Sequence, residues 1–179
     1  MTHEMISAGF GGQGVLLLGQ LLAYAGLKEG KEVSWLPSYG PEMRGGTANC
    51  SVIVSDEEIG APVVVEADAV VAMNRPSLDK FEKSVKPGGK LFINSSLIDK
   101  KSERDDIEVY YVPATELADK IGNTRVANIV MLGAYLEATG VVSPDSAIDC
   151  LAASFGEKKA HLIPMNREAI EKGAESIRQ

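Results

Sequence analysis

Apolar residues recur along this chain in two rhythms. Short apolar runs at residues 5–8, 33–36, 48–54, 69–73, 91–94 and 109–112 are bounded by polar or turn-forming residues and read as β-strands. Longer stretches repeat their apolar positions at helical spacing. They cover residues 13–28, a segment opening at Asn74-Arg75-Pro76, and residues 114–121, 129–139, 143–155 and 166–177. Strands and helices alternate up to about residue 121, and the chain is wholly helical from Asn128 on. The order predicts an α/β fold: a mostly parallel Rossmann-like sheet flanked by helices, with a helical C-terminal end, in a single domain over residues 1–179.

Local signals refine several elements. The first helix is apolar nearly all round, which predicts burial on more than one side, and Gly30 is its expected cap. Pro76 suits a first helical turn, Leu78, Phe81 and Val85 mark a buried face, and Pro87-Gly88-Gly89 is the expected stop. Ser143-Pro144-Asp145 has the form of a helix start. Val63-Val64-Val65 fits a short strand or an extended connection. The run 48–54 alternates with period two and follows a long loop instead of a crossover helix, so an antiparallel strand is expected there.

Two loops carry candidate chemistry. Gly9-Phe10-Gly11-Gly12-Gln13-Gly14 joins the first strand to the first helix. That geometry brings bare backbone N–H groups and a helix N-terminus to one point, where an anion can bind. The competing reading is a turn whose glycines serve only close packing of helix on strand. A nicotinamide site also needs an acidic residue at the end of the second strand, to hold the ribose hydroxyls. Here that strand runs Val33-Ser34-Trp35-Leu36 into Pro37-Ser38, with no carboxylate. The second loop, Tyr39 to Thr47, offers the backbone of Gly45 and Gly46 and the guanidinium of Arg44. Its competing reading is a surface loop with a solvated arginine. The strands that precede the two loops are expected to be neighbours.

Composition removes several classes. A net charge of −7 excludes a general nucleic-acid binder, which shows a basic face. Two cysteines, Cys50 and Cys150, are too few for an iron–sulfur cluster and lie too far apart in sequence for a zinc or redox motif. The expectation is a cytoplasmic protein with reduced thiols, no signal peptide and no membrane span. His3, at an N-terminus expected to be disordered, and His161 are the only histidines, and neither sits near a nucleophile. Asn123-Thr124-Arg125 with Asn128 reads as helix capping. Catalytic residues are therefore expected to be absent, as are metal ligands.

The motifs Gly9 to Val15, Pro37 to Ala48 and Glu66-Ala67-Asp68 resemble those of the gamma subunit of 2-oxoacid:ferredoxin oxidoreductases, in the branch acting on 2-oxoglutarate or branched-chain 2-oxoacids. The resemblance implies a complex that decarboxylates a 2-oxoacid on thiamine diphosphate, passes the acyl group to coenzyme A and sends two electrons through iron–sulfur clusters to ferredoxin. It places thiamine diphosphate, Mg²⁺ and the clusters in partner subunits: a thiamine-binding beta, an alpha and a ferredoxin-like delta. For this chain it implies a share in coenzyme A binding, through Gly9, Gly11, Gly12, Gln13 and Gly14 and through Arg44, Gly45, Gly46 and Thr47. The alternative reading is a stand-alone module or dehydrogenase domain that binds NAD or FAD.

Overall fold

The computed structural model of the chain describes residues 1–38 and 47–178. Its strands are β1 (Thr2–Phe10), β2 (Glu32–Ser38), β3 (Thr47–Ser55), β4 (Ala67–Ala72), β5 (Val85–Asn94) and β6 (Glu108–Val112). They form one sheet in the order β2-β3-β1-β4-β5-β6. β1, β4, β5 and β6 pair in parallel, while β3 lies antiparallel between β1 and β2. The antiparallel strand is as expected. The expected adjacency of β1 and β2 is not found, because β3 returns beside β2 and takes the place next to β1.

Side chains alternate between the two faces of the sheet. Met5, Val52, Val54, Ala69, Val71 and Phe92 share one core with α1 (Val15–Lys28), α3 (Ala114–Ile121), α4 (Ala127–Thr139), α5 (Pro144–Phe155) and α6 (Ile163–Ile177). Ile6, Ile53, Val70, Ala72, Leu91 and Ile93 face the other side. There α2 (Arg75–Phe81) supplies Leu78, and the connecting segments supply Val64 and Ile98. Residues 63–65 form a connection with no strand pairing. Cys50 is buried against α1, and burial pushes its thiol up to about 12, so it acts as a small core residue.

α1 stops as the sequence predicts. The Gly30 N–H donates to Leu27 O at 3.0 Å and the Lys31 N–H to Gly26 O at 2.9 Å, with Gly30 at φ +80°. These two bonds are the paired contacts of a Schellman motif. The end of α2 differs from the expectation. That helix finishes at Phe81, a 3₁₀ turn follows over Glu82–Ser84, and Val85 already belongs to β5. Pro87-Gly88-Gly89 therefore lies within a strand. Ala67 pairs with Val85 and Ala69 with Lys90, so the intervening residues of β5 bulge out of the ladder. His3 differs too: it sits in β1, opposite Val54.

α4 and α6 approach until glycines form the contact. A Cβ on Gly133 would run into the carbonyl of Ile170, and one on Gly173 into that of Val130. In an open helix, Gly→Ala gains about 1 kcal/mol from propensity. Here the overpacking term of about 1–3 kcal/mol opposes that gain. Gly173→Ala is expected to lower the urea midpoint, and a raised midpoint would show that the two helices separate without cost.

Candidate functional site

The carboxyl ends of β1, β4, β5 and β6 share one edge of the sheet. From β1 the chain crosses to β2 on one side, and β4 lies on the other, so the direction of winding reverses between β1 and β4. Open α/β sheets bind ligands at such a point. The glycine turn lies there.

The turn is held by side-chain amides. The Gln13 N–H donates to Phe10 O at 3.2 Å, closing the turn. The Gln13 side chain accepts from the Phe10 N–H at 2.6 Å and from Asn74 Nδ2 at 3.4 Å, and donates to Met73 O at 3.3 Å. One glutamine thus ties β1 to the end of β4. Gly9 makes room for it: a Cβ there would lie 2.7 Å from Gln13 Oε1 and 2.9 Å from Met73 Cβ. Gly14, at φ +74°, is the N-cap of α1, and its carbonyl accepts from Leu18 N–H at 3.0 Å and from Asn128 Nδ2 at 3.2 Å. A Cβ on Gly14 would collide with the Asn128 amide. Gly12, at φ +90°, has nothing within 4 Å of its Cβ position. Among the described residues, no protein acceptor takes the N–H of Gly11, Gly12 or Gly14.

Four helices start at this edge, and their first turns differ. Asn74 caps α2 by accepting from the Ser77 N–H at 2.9 Å. Asn94 and Ser96 accept from the Ala114 and Glu116 N–H groups of α3, at 3.2 and 3.0 Å. By contrast, neither α1 nor α4 has a side-chain cap at its N-cap residue or an acid in its first turn. The Gly14–Asn128 bond holds these two N-termini together, and α4 meets its own first N–H groups locally: Ala127 N–H donates to Thr124 O and Ile129 N–H to Asn128 Oδ1 at 3.0 Å. Partial positive charge concentrates where they meet.

Two cavities flank the turn, and Gly12 lines both. One, of about 230 Å³, is lined by Gly12, Gln13, Met73, Leu97, Thr115, Thr124, Arg125 and Ala127. The other, of about 240 Å³, is lined by Phe10, Gly11, Gly12, Gly14, Val15, Leu16 and Ala48. Each falls below the range of roughly 300–1,000 Å³ typical of a complete small-molecule pocket. The described lining groups are backbone, amide, hydroxyl, guanidinium and apolar carbon. Among the described residues, the lining suits binding and orienting a ligand and includes no carboxyl, imidazole or thiol group. A larger recess of about 430 Å³ at the opposite edge holds His3. Its lysines are already neutralised: Lys86 pairs with Glu4 at 2.9 Å and with Asp68 at 3.4 Å, and Lys90 with Glu108 at 3.1 Å. Burial holds the His3 imidazole below its usual range.

Of the sequence-derived candidates, Gly9, Gly11, Gly12, Gln13 and Gly14 come together in this turn. Thr47 opens β3 opposite Phe10. Arg44, Gly45 and Gly46 lie outside the described residues. Asn123 is a cap as expected, accepting from the Arg125 N–H at 3.0 Å. Sequence reasoning missed that Thr124 and Arg125 line the cleft, and that Asn128 reaches Gly14 across 114 residues. An arginine beside a cap, at the entry of a mostly apolar helix, was the available signal.

Positive φ at a non-glycine costs about 1–3 kcal/mol. Gly12→Ala is expected to lose only this amount in urea unfolding. Gly14→Ala adds a collision with Asn128, for about 1–3 kcal/mol more. Equal losses for the two variants would show that Asn128 moves aside freely.

The chain matches known proteins over nearly its whole length. A family model described as pyruvate ferredoxin/flavodoxin oxidoreductase matches residues 4–176. Ketoisovalerate oxidoreductase subunit VorA of Methanothermobacter marburgensis is 41% identical over 174 residues, which is 96% of this chain and 36% of that protein. This chain thus spans about a third of the length of that relative. The gamma subunit of keto/oxoacid ferredoxin oxidoreductase from Geobacter sulfurreducens PCA is 33% identical with a TM-score of 0.83, covering 97% of each chain. The 2-oxoglutarate:ferredoxin oxidoreductase of Magnetococcus marinus, with 2-oxoglutarate, coenzyme A and succinyl-CoA bound, is 25% identical with a TM-score of 0.89, over 98% of this chain and 31% of that one. With the winding reversal, the glycine turn and these matches together, the chain belongs to the pyruvate ferredoxin/flavodoxin oxidoreductase family.

Proposed function

We propose that this chain is the gamma subunit of a cytoplasmic 2-oxoacid:ferredoxin oxidoreductase and that it forms part of the coenzyme A site of the complex. The whole chain acts as one domain in this reading. One observation carries it: the N–H groups of Gly11, Gly12 and Gly14 have no protein acceptor among the described residues, and they sit where the winding of the sheet reverses. Coenzyme A offers phosphates to such a cradle and apolar carbon to the exposed Leu97. The end of β2 at Pro37-Ser38 carries no carboxylate for a ribose diol, which favours coenzyme A over NAD or FAD.

The chemical steps fall to the partners: a thiamine-binding beta, an alpha and a ferredoxin-like delta subunit, with ferredoxin as the final acceptor. Thiamine diphosphate supplies the carbanion chemistry of decarboxylation, and iron–sulfur clusters carry the two electrons. Cys50 lies in the core and Cys150 on α5, an arrangement unsuited to a shared cluster. Leu97 and the glycine turn hold and orient coenzyme A, so that its thiol meets the acyl group on the partner.

The purified chain alone is expected to show no 2-oxoacid-dependent dye reduction, even with thiamine diphosphate, Mg²⁺ and coenzyme A present. In the reconstituted complex, Gly12→Asp and Gly12→Asn impose similar backbone strain, since Asp and Asn both tolerate positive φ. They differ in charge. The apparent KM for coenzyme A is expected to rise on the order of tenfold more for Asp than for Asn, about 1.4 kcal/mol, while coenzyme A-independent half-reactions persist. Activity of the isolated chain, or identical KM values for the two variants, would overturn the reading.

A further inference from the structure

We infer that Arg125 is the second wall of the anion site, gripping a phosphate of the ligand whose first wall is the glycine turn. This rests on the coenzyme A reading and names a residue for it. Arg125 lines the same cavity of about 230 Å³ as Gly12 and Gln13. It is the only charged residue lining that cavity among those described, and no carboxylate shares it.

Its isolation sets it apart from the other arginines. Arg75 binds Asp79 at 3.2 Å, Arg104 binds Asp106 at 2.6 Å, Arg167 binds Asp145 at 3.2 Å and Arg178 binds Glu137 at 2.8 Å. Arg125 alone among the described arginines has no carboxylate partner. This holds in a chain with 25 acidic residues against 18 basic ones. A planar guanidinium that no carboxylate occupies keeps its fork of donors for phosphate oxygens. Thr124 and Thr115 add hydroxyls to the same cavity. The backbone that carries Arg125 is fixed independently of its side chain, because the Arg125 N–H is bound by Asn123.

Coenzyme A presents two phosphate sources, its diphosphate and its ribose 3′-phosphate. The test measures direct binding of coenzyme A, dephospho-coenzyme A and pantetheine to the reconstituted complex, for wild type, Arg125→Gln, Arg125→Lys and Gly12→Asp. Arg125→Gln is expected to weaken coenzyme A binding tenfold to a hundredfold and leave pantetheine within twofold. Arg125→Lys is expected to fall between wild type and Arg125→Gln. A matching loss for dephospho-coenzyme A assigns the arginine to the diphosphate, and retained dephospho-coenzyme A binding assigns it to the 3′-phosphate. Coenzyme A binding within twofold of wild type in Arg125→Gln, while Gly12→Asp binds weakly, overturns the role of Arg125 and leaves the glycine cradle standing. If neither variant changes binding, the coenzyme A reading falls with it. An equal loss for pantetheine also overturns the inference, because pantetheine carries no phosphate.

Discussion

The functional edge of this molecule depends on two side-chain amides. Gln13 spans from the end of β1 to the end of β4, and Asn128 spans from α4 to the first carbonyl of α1. A glycine turn by itself is a soft segment, since glycine surrenders more conformational freedom on ordering than any other residue. Gln13 offsets that softness by fixing the turn to the backbone of two central strands. Asn128 fixes the other end. Its bond also holds two helix N-termini side by side, so that their dipoles converge beside the glycine turn. The neighbouring starts of α2 and α3, capped by Asn74, Asn94 and Ser96, show that the fold can fill first-turn N–H groups with side chains. At the glycine turn it leaves them open.

The same bond separates the roles of glycines that look equivalent in sequence. Gly9 and Gly14 leave room for protein atoms, Gln13 in one case and Asn128 in the other. Gly12 leaves room for nothing within the described chain. The packing reading of the turn therefore holds at Gly9 and Gly14, and the proposed ligand-binding reading falls to Gly12. Packing explains the outer glycines, and open space at the backbone is the property left to Gly12 between them.

Local patterns were legible in the sequence because they rest on local physics. The strand–turn–helix at Gly9 to Gly14, the Gly30 cap, the Ser143-Pro144 start and the antiparallel 48–54 strand depend on residues close in the chain. Misreadings arose where a tertiary contact reassigns a local signal. Pro87-Gly88-Gly89 reads as a helix stop, yet it forms a bulge. That bulge is held by partners brought from elsewhere: the Gly88 N–H reaches Asp106 O at 2.7 Å, and Arg104 donates to Val85 O at 2.7 Å. His3 reads as part of a loose terminus, yet pairing with β3 orders it. The neighbour relation of β1 and β2 failed because a period-two pattern identifies a strand without saying where in the sheet it inserts. Arg125 was hidden by its own neighbour. Asn123 does cap the turn, and that role accounted for the local sequence without reference to a cleft assembled from β1, β4 and α4.

What the cleft lacks bears on its function as much as what it holds. Rate enhancement needs groups that act more strongly on the transition state than on the ground state, commonly an acid, a base or a nucleophile. The cavity beside Gly12 is lined by an amide, two hydroxyls, a guanidinium and apolar carbon. Such groups are suited to orienting a ligand and balancing its charge, and no carboxyl, imidazole or thiol stands among them in the described lining. Its volume of about 230 Å³ is also below that of a pocket enclosing a whole cofactor. A surface of this kind contributes by positioning. On the coenzyme A reading proposed above, it holds one end of a long, anionic ligand so that the other end reaches chemistry supplied elsewhere, and the binding energy of the remote phosphates goes into alignment of the reacting group. A family in which this domain occurs both as a gamma subunit in Geobacter and as about a third of VorA in Methanothermobacter fits that division. Positioning requires only that the remote grip and the reacting centre be held at a fixed separation, and either a covalent link or a subunit interface can hold it.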